Sequence, residues 1–319
     1  MKQTLFTFLL ISALGMASCR KDKLQPTVKQ YDQQQILSYI AAHGLTGFLR
    51  DTTGGDTSGM YYQILNPGTQ SVNGIPVTPL DYPSEISFVY TERTLDGTYV
   101  LSDTIANHYY DYVGHIWSNH YPLGLQTAVH NLLKYPDASM RVLVPSHLAY
   151  GVNGTGSGSS QVANNRIGGN ESLDIYIHAV NNFQVYDDMV IQNYMKANSL
   201  TGYTKVQSAL FPGNYYYYKI LIPATTNDPI TINSTATVTY TAQIFNGTIF
   251  SQYNVAGGQA LPISGDIPAV QEGLENFAVA GTEISIILPS TLGYGIAAGA
   301  PGPAFSCLRF TFDIVSVTP

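Results

Sequence analysis

Residues 86–100 read ISFVYTERTLDGTYV and residues 236–250 read ATVTYTAQIFNGTIF. In both stretches β-branched and aromatic residues alternate with polar ones, a period of two that predicts strands. Asp96-Gly97 and Asn246-Gly247 interrupt the alternation with the strongest short-range signal for a hairpin. GMYYQIL (59–65) and GNYYYYKIL (213–221) are also strand-like, and SLDIYIHAV (172–180) and CLRFTFDIVSV (307–317) alternate again. Elsewhere the apolar positions fall three and four apart. Ile36, Tyr39 and Ile40 follow Asp32, and Ile191, Tyr194 and Met195 follow Asp187. Each set predicts a short amphipathic helix with the aspartate at its cap. Leu125, Val129 and Leu132 predict a further helix within 122–133, and Val270, Leu274 and Phe277 another within 267–279.

These elements form one plan written twice. YDQQQILSYIAAHGLTGF (31–48) aligns with YDDMVIQNYMKANSLTGY (186–203) at 8 of 18 positions, and LVPSHLAYG (143–151) with ILPSTLGYG (287–295) at five of nine. The offset between copies falls from 155 at Tyr31/Tyr186 to 135 at Leu173/Leu308. A shared order with a shrinking offset indicates duplication followed by loop change; a solenoid would need several shorter units. The extra length of the first copy lies in its loops, above all GVNGTGSGSSQVANNRIGGNE (151–171). The expected boundary lies near 181–185, which gives domains over 31–182 and 183–319. One short helix against an antiparallel sheet, with an added helix before each copy, makes the expected fold class α+β.

Composition narrows the partners. Only 11% of the residues are charged and the net charge is −7, which argues against binding by phosphate neutralisation, so nucleic acid is not expected. The N-terminus changes the picture further. Met1-Lys2, the apolar run Leu5–Leu14 and the small residues up to MASC predict an export signal over 1–18, too short to span a membrane. MASC resembles a bacterial lipobox, with Met16 where Leu is usual. That resemblance implies that Cys19 carries lipid and becomes the mature N-terminus, with 19–30 as a polar tether. An ordinary secretory cut with an incidental Cys19 is the alternative. With Cys19 lipidated, Cys307 has no disulfide partner. The expected location is the cell envelope, as an outer-membrane lipoprotein facing the periplasm or the cell surface.

The second copy resembles the FKBP-type peptidyl-prolyl cis/trans isomerases. VTYTAQIFNGTIF, IPAVQEGLENFAVAGTEISIILPSTLGYG and LRFTFDIVSV carry the match and cover nearly all of 236–317 in the family's order. The first copy matches more weakly, through FVYTERTLDGTY, LQTAVHNLL, MRVLVPSHLAYG and SLDIYIHAV. The resemblance implies two tandem FKBP-like domains, each a curved antiparallel sheet wrapping a short helix. It also implies an aromatic hollow that takes a proline ring of a proline-containing polypeptide, with no cofactor. Within that hollow it assigns wall positions to Tyr240 and Phe250 and a final-strand aromatic to Phe310. Ile267 matches the residue whose backbone N–H holds a substrate carbonyl, and Tyr294 the tyrosine whose hydroxyl donates to the substrate.

The departures from the family are specific. Ser251 stands where an aspartate is usual, Val270 offers itself at the floor where tryptophan is typical, and a wall aromatic is replaced near Ala260. The first copy keeps Tyr90, Tyr99 and Tyr150 but has Val100, Leu125 and Ile175 at the companion positions, so it is expected to be degenerate as an enzyme. The alternative function is a non-catalytic FKBP-like binding or chaperone lipoprotein. Other chemistries find less support. His108, Asp111, His115 and His120 do not place three metal ligands on one helical face. The glycine-rich loop lacks the Gly-Lys-Ser/Thr ending of a phosphate cradle.

Overall fold

The computed structural model describes residues 26–53, 55, 58–105, 108–159, 161–297 and 302–319. The signal segment, Cys19 and the first part of the tether lie outside the described residues. Among the described residues, no helix is long and apolar enough to cross a membrane.

The first helix, α1 (Val28–Ala42), opens on a capping box: the Thr27 hydroxyl accepts from the Gln30 N–H while the Gln30 side chain accepts from the Thr27 N–H. Asp32 is therefore not its cap. It lies inside the helix, 1% exposed, and faces the first sheet's Pro-Ser turn. The same correction applies to Asp187 in the helix Phe183–Ala197, which Asn182 caps by accepting from the Val185 N–H. In both helices a better capping residue upstream moves the start back by a turn and turns the aspartate inward.

Between these helices lie β1 (Leu49–Arg50), β2 (Tyr61–Asn66), β3 (Ser71–Val72), β4 (Ile75–Pro76), β5 (Glu85–Thr94), β6 (Val100–Leu101) and β7 (His108–Tyr112). Then come α2 (Leu123–Ala128), a π-type turn over Val129–Leu133, β8 (Ser139–Val144), β9 (Thr155–Gly156), β10 (Arg166–Ile167) and β11 (Leu173–Ala179). The helix Phe183–Ala197 is α3. After it follow β12 (Thr204–Gln207), β13 (Tyr215–Ile222), β14 (Thr235–Ile244), β15 (Ile249–Tyr253) and β16 (Gln259–Pro262). The helix α4 (Pro268–Phe277), β17 (Glu283–Leu288) and β18 (Leu308–Thr318) complete the chain.

Two seven-stranded antiparallel sheets result. The first runs β1-β2-β8-β11-β5-β6 with β7 also on β5; the second runs β12-β13-β17-β18-β14-β15 with β16 also on β14. Position by position the two orders are the same. The fold is thus α+β, with two antiparallel sheets and few helices.

Each sheet closes its core against one short helix. Phe88, Met140, Val142, Ile175 and Ile177 pack with Leu125 and Val129 in the first, and Ile284, Ile286, Leu288, Phe310 and Phe312 with Val270 and Leu274 in the second. Each such side chain removed from water stabilises the fold by about 1.5–3 kcal/mol before entropy is counted. The helix sits close: a Cβ on Gly273 would lie 2.5 Å from the Ile286 Cδ1, so any larger residue must shift Ile286 or the helix.

Candidate functional site

The hollow of the second sheet begins with strand register. On β14, Tyr240 pairs with Phe312 of β18 and Ala242 pairs with Phe310. Residues two apart on a strand share a face, so Tyr240, Ala242, Phe310 and Phe312 all point the same way. The Phe310 and Phe312 rings stack at 5.6 Å and 3°. Ala242, fully buried, packs in the core beside them. The Asn246-Gly247 turn, with Gly247 at φ 90°, folds β15 back so that Phe250 closes one side. Its ring stands edge-on to Phe310 at 6.0 Å and to Tyr294 at 6.2 Å.

Tyr294 arrives by a different route. After β17 the chain makes a tight turn over Ser290–Leu292, and Gly295, at φ 54°, returns its N–H to the Ser290 carbonyl at 3.0 Å. The turn is fixed from outside: one Asp187 oxygen accepts from the Ser290 N–H at 2.9 Å and from its hydroxyl at 2.7 Å. Tyr294 is thereby held at the rim. Its hydroxyl makes no hydrogen bond with any described residue, and burial beside Asp266 and Tyr240 pushes its pKa up, so it is a neutral donor.

The cavity measures about 290 Å³ and is lined by Tyr240, Phe250, Ser251, Leu261, Pro262, Gly265, Asp266, Tyr294, Phe310 and Phe312. Four residues singled out from the sequence, Tyr240, Phe250, Tyr294 and Phe310, therefore meet in one hollow. Two do not line it. Val270 is fully buried between α4 and the sheet, in the core under the site, because α4 turns that face to Ile286 and its neighbours. Ile267 packs against the same core, and its N–H donates to the Asp266 carboxylate at 2.8 Å. The Tyr240 hydroxyl shares a 2.8 Å hydrogen bond with Ser251, which thus takes a polar role at this wall.

Phe312, Leu261 and Asp266 belong to the lining and were not singled out from the sequence. Phe312 was legible in principle, since the alternation of Phe310-Thr311-Phe312 puts both rings on one face. Asp266 had no periodic signal, because it sits in the irregular segment before α4.

The chain is similar to solved FKBP structures. The three FKBP domains of wheat FKBP73 align at 16% identity and a TM-score of 0.30, over 82% of this chain and 96% of that one. FkpA from Escherichia coli aligns at 24% identity and a TM-score of 0.35, over 43% of this chain and 61% of that one. A peptidyl-prolyl cis-trans isomerase from Pseudomonas syringae pv. tomato aligns at 20% and 0.34, over 43% and 96%. No protein-family model matches the chain, and no curated protein matches it.

The corresponding place in the first sheet is built differently. Glu92 pairs with Ile175 as Ala242 pairs with Phe310, so a carboxyl occupies the position that is small in the second sheet. Glu92 is 4% exposed, and the Tyr150 hydroxyl reaches its two oxygens at 3.4 and 3.3 Å. Tyr121 stands edge-on to Phe88, Tyr90 and Tyr109 and adds its own bulk. Tyr150, the counterpart of Tyr294, thus already has an acceptor. Among the described residues no group of three or more His, Cys, Asp or Glu could hold a metal ion.

Proposed function

We propose that the second domain, residues 183–319, is a peptidyl-prolyl cis/trans isomerase acting on X-Pro bonds. The observation that carries this reading is the Tyr294 hydroxyl, without a partner among the described residues, at the rim of a hollow walled by Phe250, Phe310 and Phe312. Amide resonance sets a barrier of about 18–20 kcal/mol to rotation, and uncatalysed X-Pro exchange takes roughly tens to hundreds of seconds. No nucleophile or proton transfer is needed to lower it. A twisted amide has lost resonance, so its carbonyl oxygen carries less negative charge and is cheaper to desolvate than the planar form. An apolar hollow that seats the proline ring then binds the twisted amide better than either planar isomer. Tyr294 is placed to orient the bound peptide by donating a hydrogen bond to a carbonyl.

The test is proline-limited refolding, or a protease-coupled peptide assay, with the full chain. Acceleration that rises in proportion to protein concentration is expected. No acceleration at micromolar protein would sink the reading. A second reading, a non-catalytic binding or chaperone role, is favoured by the Ile267 N–H, which Asp266 already engages. Binding of proline peptides without acceleration would select it.

The polypeptides it serves are exported proteins of the cell envelope on this reading, with Cys19 carrying a lipid anchor and the first domain serving for binding or spacing. Metabolic labelling with a radioactive fatty acid tests the anchor. Label should enter the wild-type chain and be lost in Cys19→Ser.

A further inference from the structure

Of the residues that line the hollow, Asp266 alone is charged. Its Oδ1 accepts from the Ile267 N–H, and no described residue supplies it with a cation or a second hydrogen bond. Residues 183–319 hold four basic side chains, Lys196, Lys205, Lys219 and Arg309. Lys205 pairs with Asp188 at 2.7 Å, Lys219 donates to the Thr201 carbonyl and Arg309 to the Ser285 hydroxyl. Lys196 lies in the last turn of α3. None of the four lines the hollow. The carboxyl is partly desolvated there, which pushes its pKa up, and it stands close enough to Tyr294 to oppose ionisation of that hydroxyl. A half-buried carboxylate beside aromatic rings and without a counter-charge favours a cationic guest, through both Coulomb attraction and the ring faces.

We propose that the hollow is selective for X-Pro segments in which X is lysine or arginine, and that Asp266 is the residue that sets this selectivity. The proline ring sits among Phe250, Phe310 and Phe312, and the basic side chain of X reaches the uncompensated carboxylate at the rim. A net charge of −7 over the chain favours the approach of the same peptides. The kinetic half of this proposal rests on the isomerase reading; the binding half does not.

Two measurements with the full chain test it. In the first, kcat/KM is compared for tetrapeptides with Lys, norleucine or Glu before proline. Lys is expected to exceed norleucine by on the order of threefold to tenfold, as fits a partly exposed ion pair, and Glu to fall below both. Raising the salt from about 0.01 M to 1 M should compress the spread, since the screening length shrinks from about 30 to 3 Å. In Asp266→Asn, which keeps an acceptor for the Ile267 N–H, the Lys-to-norleucine ratio should fall to about one; in Asp266→Lys the order should invert. Equal kcat/KM for Lys and norleucine in the wild type would overturn the selectivity and leave the isomerase reading standing. In the second measurement, acetyl-Lys-Pro-methylamide and acetyl-norleucyl-Pro-methylamide are titrated by NMR shift perturbation. If no peptide is turned over, the isomerase reading fails and this titration alone decides. Tighter binding of the lysine peptide, lost in Asp266→Asn, supports the proposal; equal affinities overturn it.

Discussion

The Asp187 carboxylate, inside α3, accepts both the N–H and the hydroxyl of Ser290, on the turn that carries Tyr294. In the first half Asp32 of α1 accepts from the Ser146 hydroxyl at 2.9 Å, with the His147 ring at 3.3 Å. The helix before each sheet is thus a brace for the turn that ends in Tyr-Gly. Losing the acceptor leaves two buried donors unsatisfied, each worth about 1–3 kcal/mol. Asp187→Ala should therefore destabilise the chain by roughly 2–4 kcal/mol in urea denaturation and lower the proposed isomerase activity by misplacing Tyr294. Asp187→Asn keeps an acceptor oxygen and should lose less of both. Equal losses in Ala and Asn would show that the negative charge of the carboxylate, not an acceptor oxygen in its place, braces the turn.

Tyr294→Phe separates function from stability more cleanly. The hydroxyl has no partner among the described residues, so its removal should change stability by less than about 0.5 kcal/mol. It should nevertheless cut kcat/KM by about tenfold, if one hydrogen bond to the bound peptide is lost. Phe310→Leu keeps most of the core volume and opens one wall of the hollow. It should weaken proline-peptide binding while costing about 1 kcal/mol of stability, because Phe310 is only 5% exposed. Full activity in both variants would place the site elsewhere.

Gly273 offers a test of the helix position beneath the site. An added methyl would meet Ile286 at 2.5 Å, and the Ile286 side chain is fully buried in the core. Gly273→Ala gains about 1 kcal/mol of helix propensity but must push α4 off the sheet or shift Ile286, at a cost of about 1–3 kcal/mol. A net loss of stability is expected. Shortening Ile286 to Val in the same chain should recover part of it, as a double-mutant cycle would show.

The strands and the duplication were legible because period-two alternation, Asp-Gly and Asn-Gly turns and matched segments are local signals. Tyr240, Phe250, Tyr294 and Phe310 followed from the resemblance of their motifs to those of the FKBP-type isomerases. Two features were not legible, each for a physical reason, and a third shows in the sequence only as an irregularity. Asp32 and Asp187 read as caps since aspartate near a helix start usually is one; Thr27 and Asn182 took that role, and only the tertiary contact to a serine 103 or 114 residues away shows the other use. Val270 stands where the family has a tryptophan at the pocket floor, whereas α4 lies so close to the sheet that Val270 is sealed in the core. Glu92 sat unremarked among alternating residues, although a charge at an inward position was a visible irregularity.

Glu92 also makes the stability of the first half depend on pH. Burial pushes its pKa up to about 7 from 4.5, against the hydrogen bond from Tyr150, which favours the ionised form. Asp187 is lifted in the same way to about 6 from 3.8, its bonds from Ser290 opposing. A carboxyl with a higher pKa in the folded than in the unfolded chain takes up a proton on folding. Its stabilising contribution is complete below the unfolded pKa and disappears as pH rises through the folded one. For Glu92 that window runs from about 4.5 to 7, and the amount at stake is about 3 kcal/mol. Glu92→Gln removes the ionisation and retains the shape. Relative to the wild type it should gain stability at pH 8, with the difference shrinking steadily as pH falls and gone near pH 4. Urea denaturation at pH 4, 6 and 8 reads this directly. A difference between the two chains that does not change over that range would show that Glu92 is solvated, and that the tyrosines around it do not enclose it.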